Sequence, residues 1–269
     1  MSVDSFETDF GKLDRIAEES AAAYQSADPF PHIVIDDFVN PALLDRVADE
    51  VNSSIGEHWD RMEDSYQRKF ANANMREMGP NTRALINFMN GQEILGFLES
   101  LTGIRGLVAD WQLAGGGMHA LKDGGFLNVH ADFNYHPHLK LDRRINLLLY
   151  LNKGWKPEWG GQLELWDRGM SQCRHRVDPE FNRCVIFNTT DTSFHGNPNP
   201  VKAPDSRPRL SLAFYYYSNG RPSDELSAKH FTLFRKPREQ EGTGERARRL
   251  VRRLLPPILF EGIDRERNT

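Results

Sequence analysis

The chain has 269 residues, of which 39% are hydrophobic and 27% are charged, and its formal net charge is −4. This length suits one well-buried domain with additions or two small domains, and the charge gives no reason to expect nucleic acid as a partner. The acidic N-terminus lacks a signal-peptide pattern, no apolar stretch is long enough to span a membrane, and Cys173 and Cys184 are too few for a disulfide scaffold. We therefore expect a cytoplasmic protein with reduced thiols.

The N-terminal region is predicted to be mainly helical. Apolar residues at helical spacing indicate helices near residues 10–25 and 91–102. Asn40 followed by Pro41 supplies a cap and a first-turn proline, which predicts that another helix begins there. The run His32–Ile35 is rich in β-branched residues and predicts a short strand between the first two helices.

Residues 57–82 are polar and show little periodicity. A long irregular segment inside a compact domain is often a lid or a binding loop, but it is also found as a solvated excursion. The sequence leaves both interpretations open.

After Gly106 the sequence changes to short strand-like runs separated by Gly, Pro, Asn and Asp, a pattern typical of a β-sandwich or barrel. We expect one compact, mainly β domain with flanking helices, divided into an N-terminal helical region (1–105), a β-core (106–218) and a basic tail (219–269). The predicted strands are Leu107–Leu113, Gly117–Leu121, Phe126–Ala131, Ile145–Leu151, Gln162–Trp166, Cys184–Asn188 and Leu210–Tyr217.

A metal site is predicted where the strand 126–131 ends. His130 and Asp132 are two residues apart, so on an extended strand their side chains point to the same face. His195, which follows the apolar run Cys184–Asn188, is the best third ligand. Two histidines and one carboxylate form the facial triad of non-haem iron(II) oxygenases, which leaves open positions for a co-substrate and oxygen.

Three other histidines are alternatives to these ligands or neighbours of the site. His136 and His138 follow closely and could be rival ligands, but Pro137 lies between them in a loop, which favours exposed or rim positions. His119, on a neighbouring strand, either lines the pocket or is a hydrogen-bonded core residue. His130, Asp132 and His195 therefore stay the preferred ligands.

Several motifs occur in a fixed order over about residues 112–218: His130-x-Asp132, Tyr150-Leu151-Asn152, Gly160-Gly161, His195-Gly196 and Arg209-x-Ser211. In this order they resemble the 2-oxoglutarate/Fe(II) dioxygenase superfamily, and within it the prolyl-4-hydroxylase-like branch. The resemblance implies a double-stranded β-helix core (a jelly roll, cupin-like) preceded by N-terminal helices. It also implies that His130, Asp132 and His195 are the catalytic metal ligands.

The resemblance further implies that Arg209 binds the distal carboxylate of 2-oxoglutarate, with Ser211 and Tyr150 as hydroxyl partners. A guanidinium matches a carboxylate with two parallel hydrogen bonds, which a lysine cannot do. Arg207 is the competitor, although the neighbouring Pro208 favours a loop or edge position for it. Tyr150 has the alternative of being an aromatic core residue.

The implied function is that of a hydroxylase with Fe(II) and 2-oxoglutarate as cofactors and ascorbate as a candidate reductant. Such an enzyme couples decarboxylation of 2-oxoglutarate to succinate and CO2 with C–H hydroxylation of a small molecule or a peptidyl, proline-like substrate. Halogenases of this superfamily replace the metal-binding carboxylate, so the presence of Asp132 favours hydroxylation. The candidate substrate-pocket residues are His119, Asn128, Phe133, Tyr135 and Trp166.

Two other classes remain as alternatives. One is a cupin-type metal-dependent enzyme that does not use 2-oxoglutarate, and the other is a non-catalytic binding module on the same barrel. The first would have no need of Arg209, Ser211 and Tyr150 after the metal motif, and an intact triad argues against the second.

The C-terminal tail is strongly basic. Residues 244–255 have arginines interleaved with leucine and valine, which predicts an amphipathic helix that ends before Pro256-Pro257. Such a helix either packs its apolar stripe on the core or on a second subunit, giving a homodimer, or docks an acidic partner or membrane surface.

Overall fold

The computed structural model describes residues 10–234, so the predicted tail helix lies outside the described residues. Within that range the helices precede most of the strands and flank them. The helices are α1 (Phe10–Gln25), α2 (Pro41–Ser54), α3 (Pro80–Met89) and α4 (Gln92–Thr102). None of these helices combines the length and the apolar character needed to cross a membrane.

The predicted helix start at Asn40 is confirmed. The Asn40 side chain accepts a hydrogen bond from the Ala42 N–H at 3.0 Å, and Pro41 occupies the first turn of α2. The helices predicted near 10–25 and 91–102 are α1 and α4. Helix α3 was not predicted, because its first turn lies within the polar segment 57–82.

The strands form a single, almost entirely antiparallel sheet that wraps into a nearly closed barrel. They are β1 (His32–Ile35), β2 (Asp60–Glu63), β3 (Gln67–Asn72), β4 (Val108–Ala109), β5 (Gly117–Leu121), β6 (Phe126–Ala131), β7 (Asp142–Tyr150), β8 (Leu163–Trp166), β9 (Cys173–Val177), β10 (Cys184–Asn188), β11 (His195–Asn197), β12 (Arg209–Ser218) and β13 (Leu233–Phe234). Their order is β1-β10-β7-β12-β5-β3-β6-β11-β8-β9, with β2 and β13 beside β3 and β6, and β4 beside β12. This mainly β, jelly-roll-like core with flanking helices is the predicted fold class.

The N-terminal region, which was predicted to be mainly helical, also contributes strands to this sheet. Strand β1 pairs with β10, and β3 pairs with both β5 and β6. Residues 57–82 are therefore largely ordered as the β2–β3 hairpin, a 3-10 turn and the start of α3, instead of an irregular loop. The polar residues of this segment obscured its strands, since exposed hairpins carry few apolar residues.

The predicted strand Leu107–Leu113 is much shorter in the structure. Only β4 is extended, because the Asp110 carboxylate accepts hydrogen bonds from the backbone N–H groups of Gln112 and Ala114 and so forms a turn.

Strand β12 separates the hydrophobic core from the interior cavity. Leu210, Leu212, Phe214 and Tyr216 point towards the helices and are buried with them, and each apolar side chain of this size stabilises the fold by about 1.5–3 kcal/mol. The alternate residues of β12, which begin at Arg209, face the cavity on the other side of the sheet. Because successive side chains of a strand point to opposite faces, β12 places polar groups inside the barrel while its apolar side chains stay in the hydrophobic core.

Glu50 of α2 caps the N-terminus of α3. Its carboxylate accepts hydrogen bonds from the Asn81 and Thr82 N–H groups at 3.0 and 2.8 Å and from the Thr82 hydroxyl at 2.8 Å. Burial alone would raise the pKa of Glu50, but these hydrogen bonds hold it below its usual range. Because the folded pKa is the lower one, this stabilisation is present at neutral pH and is lost as the pH falls through the folded pKa.

We expect Glu50→Ala to lower the free energy of unfolding by about 1–2 kcal/mol, as for other lost helix caps. Urea denaturation at neutral pH measures this change. Asp49→Ala is the matched control, because Asp49 is exposed on the same helix. Equal stability of the two variants would show that Glu50 does not cap α3.

Candidate active site

Three side chains on neighbouring strands form a group that could hold a metal ion. His130 lies opposite His195 in the β6–β11 ladder, and Asp132 follows β6. One ligand atom from each of His130, Asp132 and His195 lies within 4.8 Å of the others. The Nε2 atoms of His130 and His195 are 3.5 and 3.4 Å from the two carboxylate oxygens of Asp132. All three residues are buried.

The backbone sets the orientation of both imidazole rings. The Nδ1 atom of His130 lies 2.8 Å from the Asn128 carbonyl oxygen, and that of His195 lies 2.9 Å from the Ser193 carbonyl oxygen. Each Nδ1–H therefore donates to a carbonyl, which leaves the Nε2 lone pair free for a metal. Burial lowers the pKa of His195 to about 4, so its imidazole is neutral at neutral pH, as metal binding requires.

Asp132 is held by two residues of β7. Its Oδ2 accepts hydrogen bonds from Asn146 Nδ2 at 2.6 Å and from Arg143 Nη2 at 3.1 Å. Burial alone would raise the pKa of Asp132, but the Arg143 guanidinium and the two histidines keep it well below its usual range. The carboxylate is therefore ionised and fixed in orientation, with Oδ1 left towards His130.

Arg143 is itself enclosed. Its guanidinium lies 4.4 Å from the centre of the Phe133 ring and 3.5 Å from that of Tyr215. It also donates to the Asn146 side-chain oxygen from Nε at 3.0 Å. Stacking and hydrogen bonds together compensate for the burial of this charge.

Gly196 lets β11 approach β6. A Cβ atom at this position would lie 2.8 Å from the Leu127 carbonyl oxygen and 2.9 Å from that of Asn128, both of which are backbone atoms. The glycine of the His195-Gly196 motif thus permits the strand contact that places His195 opposite His130.

We expect Gly196→Ala to lower the free energy of unfolding by about 1–3 kcal/mol, because the strands must separate to make room. The same displacement should weaken metal binding by moving His195. Thermal unfolding and isothermal titration with a divalent metal measure the two effects. Gly96→Ala is the control, since a Cβ there meets nothing within 4 Å, and a Gly196→Ala variant that behaves like it would contradict this account.

Arg209 and Ser211 form a second polar group in the same cavity, while the neighbouring Tyr150 packs in an apolar cluster of the core. Arg209 Nε donates to the Gly161 carbonyl at 3.1 Å, and Nη1 donates to the Ser211 hydroxyl at 3.2 Å. Its guanidinium lies 4.8 Å from the centre of the Tyr150 ring. Within the described part of the chain, the buried Arg209 Nη2 and Tyr150 hydroxyl make no hydrogen bond of good geometry, although the two side chains interact electrostatically with each other, and such groups are rare unless a ligand satisfies them.

Arg207 lies outside this group. It follows a 3-10 turn, its Nη2 donates to the Lys153 carbonyl at 2.5 Å, and it does not line the cavity. Of the two arginines, only Arg209 therefore has a guanidinium directed into the barrel.

The barrel interior is a cavity of about 440 Å3 that joins the two polar groups, a size typical of ligand sites. Strands β3, β5, β6, β7, β11 and β12 line it, together with Met62 of β2 and Leu163 of β8. The segment that ends in β13 covers one side: Phe234 lies opposite His130 in the β13–β6 pair and stacks on Tyr66 with 5.0 Å between ring centres. The hairpin and the C-terminal segment thus meet over the candidate metal site.

Of the five predicted substrate-pocket residues, His119 and Phe133 line the cavity. The buried Nε2 atom of His119 has no hydrogen-bond partner among residues 10–234, and desolvation lowers the pKa of His119 to about 3. The other three predicted pocket residues lie outside the cavity, and His136 is not at the rim as predicted.

Asn128, Tyr135 and Trp166 do not line the cavity. The Asn128 amide donates outwards to the Ser65 carbonyl at 3.2 Å, and Lys229 lies 3.5 Å above the Tyr135 ring. Trp166 packs in a separate apolar cluster, where its Nε1 donates to Glu164 at 2.9 Å. Each side chain therefore already has its partners away from the metal group.

His136 was predicted to be exposed or at the rim, but it is fully buried. Its Nδ1 accepts hydrogen bonds from the His138 and Leu139 N–H groups, and its Nε2 lies 3.6 Å from Asp110. It orders its own loop, while His138 is exposed as predicted.

Four residues of this site were missed by the sequence analysis: Arg143, Asn146, Lys69 and Phe234. For Arg143 and Asn146 the sequence did contain a signal. They are polar residues in or next to the otherwise apolar predicted strand Ile145–Leu151, and buried polar residues in a strand usually have a specific partner. No sequence signal distinguished Lys69 or Phe234 from ordinary surface residues.

Solved structures share this architecture. A prolyl-4-hydroxylase from Pseudomonas putida matches with a TM-score of 0.55 and 18% identity, over 77% of this chain and 100% of that chain. A prolyl hydroxylase from Trichoplax adhaerens, solved with a peptide fragment of the hypoxia inducible factor oxygen degradation domain, gives 0.57 and 16%, over 79% and 94%. A prolyl 4-hydroxylase from Phytophthora capsici gives 0.52 and 19%, over 81% and 68%. At these identities the likeness is one of fold.

A family model matches part of the sequence. Residues 116–217 match the family model of the 2OG-Fe(II) oxygenase superfamily, and this range includes the metal group and Arg209. The chain therefore carries a 2OG-Fe(II) oxygenase domain with a prolyl-hydroxylase-like fold, and it is a 2-oxoglutarate-dependent dioxygenase with Fe(II) and 2-oxoglutarate as cofactors. No curated protein matches the chain in sequence.

Proposed function

We propose that the protein is a hydroxylase in which His130, Asp132 and His195 hold Fe(II) and Arg209 anchors 2-oxoglutarate. The observation that carries this proposal is the single cavity that contains both a group of three ligand side chains and a buried guanidinium with an unpartnered nitrogen. We take residues 106–218 as the catalytic core and the hairpin within residues 57–82 as part of its cover.

The residues of the candidate metal centre fit Fe(II). Two neutral imidazoles and one carboxylate are the donor set of non-haem iron oxygenases, and they leave positions open on the metal. With 2-oxoglutarate and oxygen, the iron would supply the oxidation of a substrate C–H bond, coupled with formation of succinate and CO2. The protein's own contribution is the orientation of the ligands: the Asn128 and Ser193 carbonyls fix the imidazoles, and Asn146 fixes Asp132.

The candidate anchor fits a carboxylate. Arg209 offers an unpartnered Nη2, its Nη1 donates to the Ser211 hydroxyl, and its guanidinium lies 4.8 Å from the centre of the Tyr150 ring. A buried charge of this kind is stable only when it is paired. The distal carboxylate of 2-oxoglutarate would supply that pair, which a cupin-type enzyme without 2-oxoglutarate would lack.

The cover over the site would exclude water. Phe234 lies 5.4 Å from the His130 ring and stacks on Tyr66 of the hairpin. The segment leading to it is tied to the barrel, because the His230 ring lies 2.8 Å from the Asp191 carboxylate and Asn134 binds the Ala228 carbonyl and the His230 N–H. Exclusion of water protects an oxidising site from side reactions.

The primary substrate of this proposed hydroxylase is a small molecule or a peptidyl residue. From the sequence we also propose a cytoplasmic location. The basic tail would form a homodimer or bind an acidic partner. Ascorbate remains the proposed reductant.

The proposal is tested by following oxygen uptake and succinate release from 2-oxoglutarate with the full chain. We expect slow turnover without a primary substrate, complete loss after treatment with a chelator, and recovery on addition of Fe(II) but not Zn(II). Turnover that survives removal of iron, or succinate formation that is absent at every iron concentration, would overturn the proposal.

A further inference from the structure

Lys69 lies in the cavity without a partner. It is on β3, between the residues that pair with β5 and those that pair with β6, and its side chain points into the barrel with that of Gln67. Within residues 10–234, its ammonium has no hydrogen bond and no ion pair, although Asp132 and His119 are near enough to interact electrostatically. Burial lowers the pKa of Lys69, which means that the site favours its charge less than water does.

The charges that line the cavity are unbalanced. They are the cations Lys69, Arg143 and Arg209 and one carboxylate, that of Asp132. Arg143 is paired with Asp132, and Arg209 is assigned above to 2-oxoglutarate. Since Fe(II) and the dianion 2-oxoglutarate together add no net charge, loading the cofactors leaves the positive charge of the cavity unchanged. Lys69 is the cation that remains without an anion.

Lys69 and the anchor Arg209 lie on the two strands that flank β5, and His119 of β5 interacts electrostatically with both. Arg209 lies on β12, and its neighbour in the cavity is Ser211. Lys69 belongs to the hairpin, where Met62 is its cross-strand partner and also lines the cavity. Residues of the hairpin line the cavity together with Phe231 and Phe234 of the C-terminal segment. Lys69 is also close enough to Asp132 of the metal group for their charges to interact.

We propose that the primary substrate is an anionic compound, a carboxylic acid in the first instance, whose acidic group binds Lys69 while the C–H bond to be oxidised lies towards His130, Asp132 and His195. This inference rests on the proposed function and specifies the substrate class of the same site. Lys69 acts as a binding residue: an ammonium attracts a carboxylate as a point charge, and this attraction is stronger in a partly enclosed cavity than in bulk water. A neutral amide of the same shape would leave the half-buried ammonium unpaired.

The first test uses a small probe in place of the substrate. The full chain is loaded anaerobically with Fe(II) and 2-oxoglutarate, and the visible charge-transfer absorption of that complex is followed during titration with acetate or with acetamide at constant ionic strength. We expect acetate to change the absorption with saturation and acetamide to have no effect. A parallel titration with inorganic phosphate tells whether the site takes a carboxylate or a phosphoryl group.

Three variants test whether Lys69 is the residue that binds acetate. Lys69→Met should raise the half-saturating acetate concentration by about tenfold or more, because the charge that attracts acetate is removed. Lys69→Arg keeps the charge and should restore acetate binding. Lys202→Met is the matched control, because Lys202 is exposed and does not line the cavity. Equal acetate binding by Lys69→Met and the unchanged protein, or no acetate effect in the latter, would overturn the proposal.

Two further readouts separate this inference from others. If Lys69→Met weakens binding of 2-oxoglutarate itself, Lys69 serves the co-substrate and the proposal is wrong. If no variant shows the absorption, the proposed function has failed, and the anion site is then scored by protection of Lys69 from acylation, measured by mass spectrometry with and without acetate. Protection supports an anion site, and its absence overturns it.

The substrate class is tested directly by pairs of free acids and their primary amides, scored by substrate-dependent succinate release. Acids should be the better substrates, and Lys69→Met should raise KM for the best acid by about tenfold or more without a similar change for its amide. An amide turned over as well as its acid would contradict the proposal.

Discussion

His195→Ala should reduce iron affinity and iron-dependent turnover by more than ~100-fold, because loss of a group that merely orients a metal ligand already costs about 10–100-fold. His195 offers Nε2 to the group formed with His130 and Asp132, and its ring lies 4.5 Å from that of His130. Removal of the imidazole leaves two ligands, too few for a stable facial site. The effect should appear in a titration of iron into the protein and in succinate release alike.

The control for this variant is His138→Ala. His138 is exposed, lies in the loop after the metal-binding strand and was a rival ligand in the sequence. Its substitution should leave iron affinity unchanged. If His195→Ala binds iron like the unchanged protein, His195 is not a ligand, and the proposed set of three metal ligands is wrong.

Arg209→Ala should weaken 2-oxoglutarate binding by about 30-fold to 1,000-fold while iron still binds, since removal of one member of a buried charge pair costs about 2–5 kcal/mol. The Nη2 atom of Arg209 has no partner among the described residues, and its other nitrogens are held by Gly161 and Ser211. The guanidinium is therefore already fixed in the orientation that a carboxylate would meet. The change is measured as the concentration of 2-oxoglutarate that half-saturates succinate release.

Arg207→Ala is the matched control, because Arg207 is two residues away and binds the Lys153 carbonyl outside the cavity. It should leave the affinity for 2-oxoglutarate close to that of the unchanged protein. A large loss with Arg207→Ala and none with Arg209→Ala would exchange the roles of the two arginines.

The sequence predicts the metal group because its geometry depends on local rules. A period of two places His130 and Asp132 on one face of a strand, and the same period on β12 places Arg209 and Ser211 together. The glycine after His195 also has a local meaning, since only a residue without Cβ allows β11 to lie against Leu127 and Asn128. The fold class follows from the series of short strands in the same way.

The residues around Asp132 could not be predicted by that rule. Arg143 and Asn146 are three apart on β7, so regular alternation would place them on opposite faces. The ladder with β12 shifts register between Tyr216 and Tyr217, opposite residues 143–145, and both side chains reach Asp132. Such an irregularity depends on the partner strand and leaves no periodic signal in β7 itself.

Lys69 and Phe234 were missed for a different reason. Each lies on a strand whose pairing spans a large distance along the chain: β3 inserts between β5 and β6, and β13 adds to β6. A polar hairpin and a two-residue strand carry no hydrophobic pattern of their own. Their place over the cavity is a property of the tertiary structure.

The most direct test of the account is an anaerobic titration of the metal-free protein with Fe(II) and then 2-oxoglutarate, followed by visible absorption. We predict that a charge-transfer band appears only when both are present, that His195→Ala does not form it, and that Arg209→Ala forms it only at much higher 2-oxoglutarate. Iron binding without any such band in the unchanged protein would contradict the account and would favour a metal site that does not use 2-oxoglutarate.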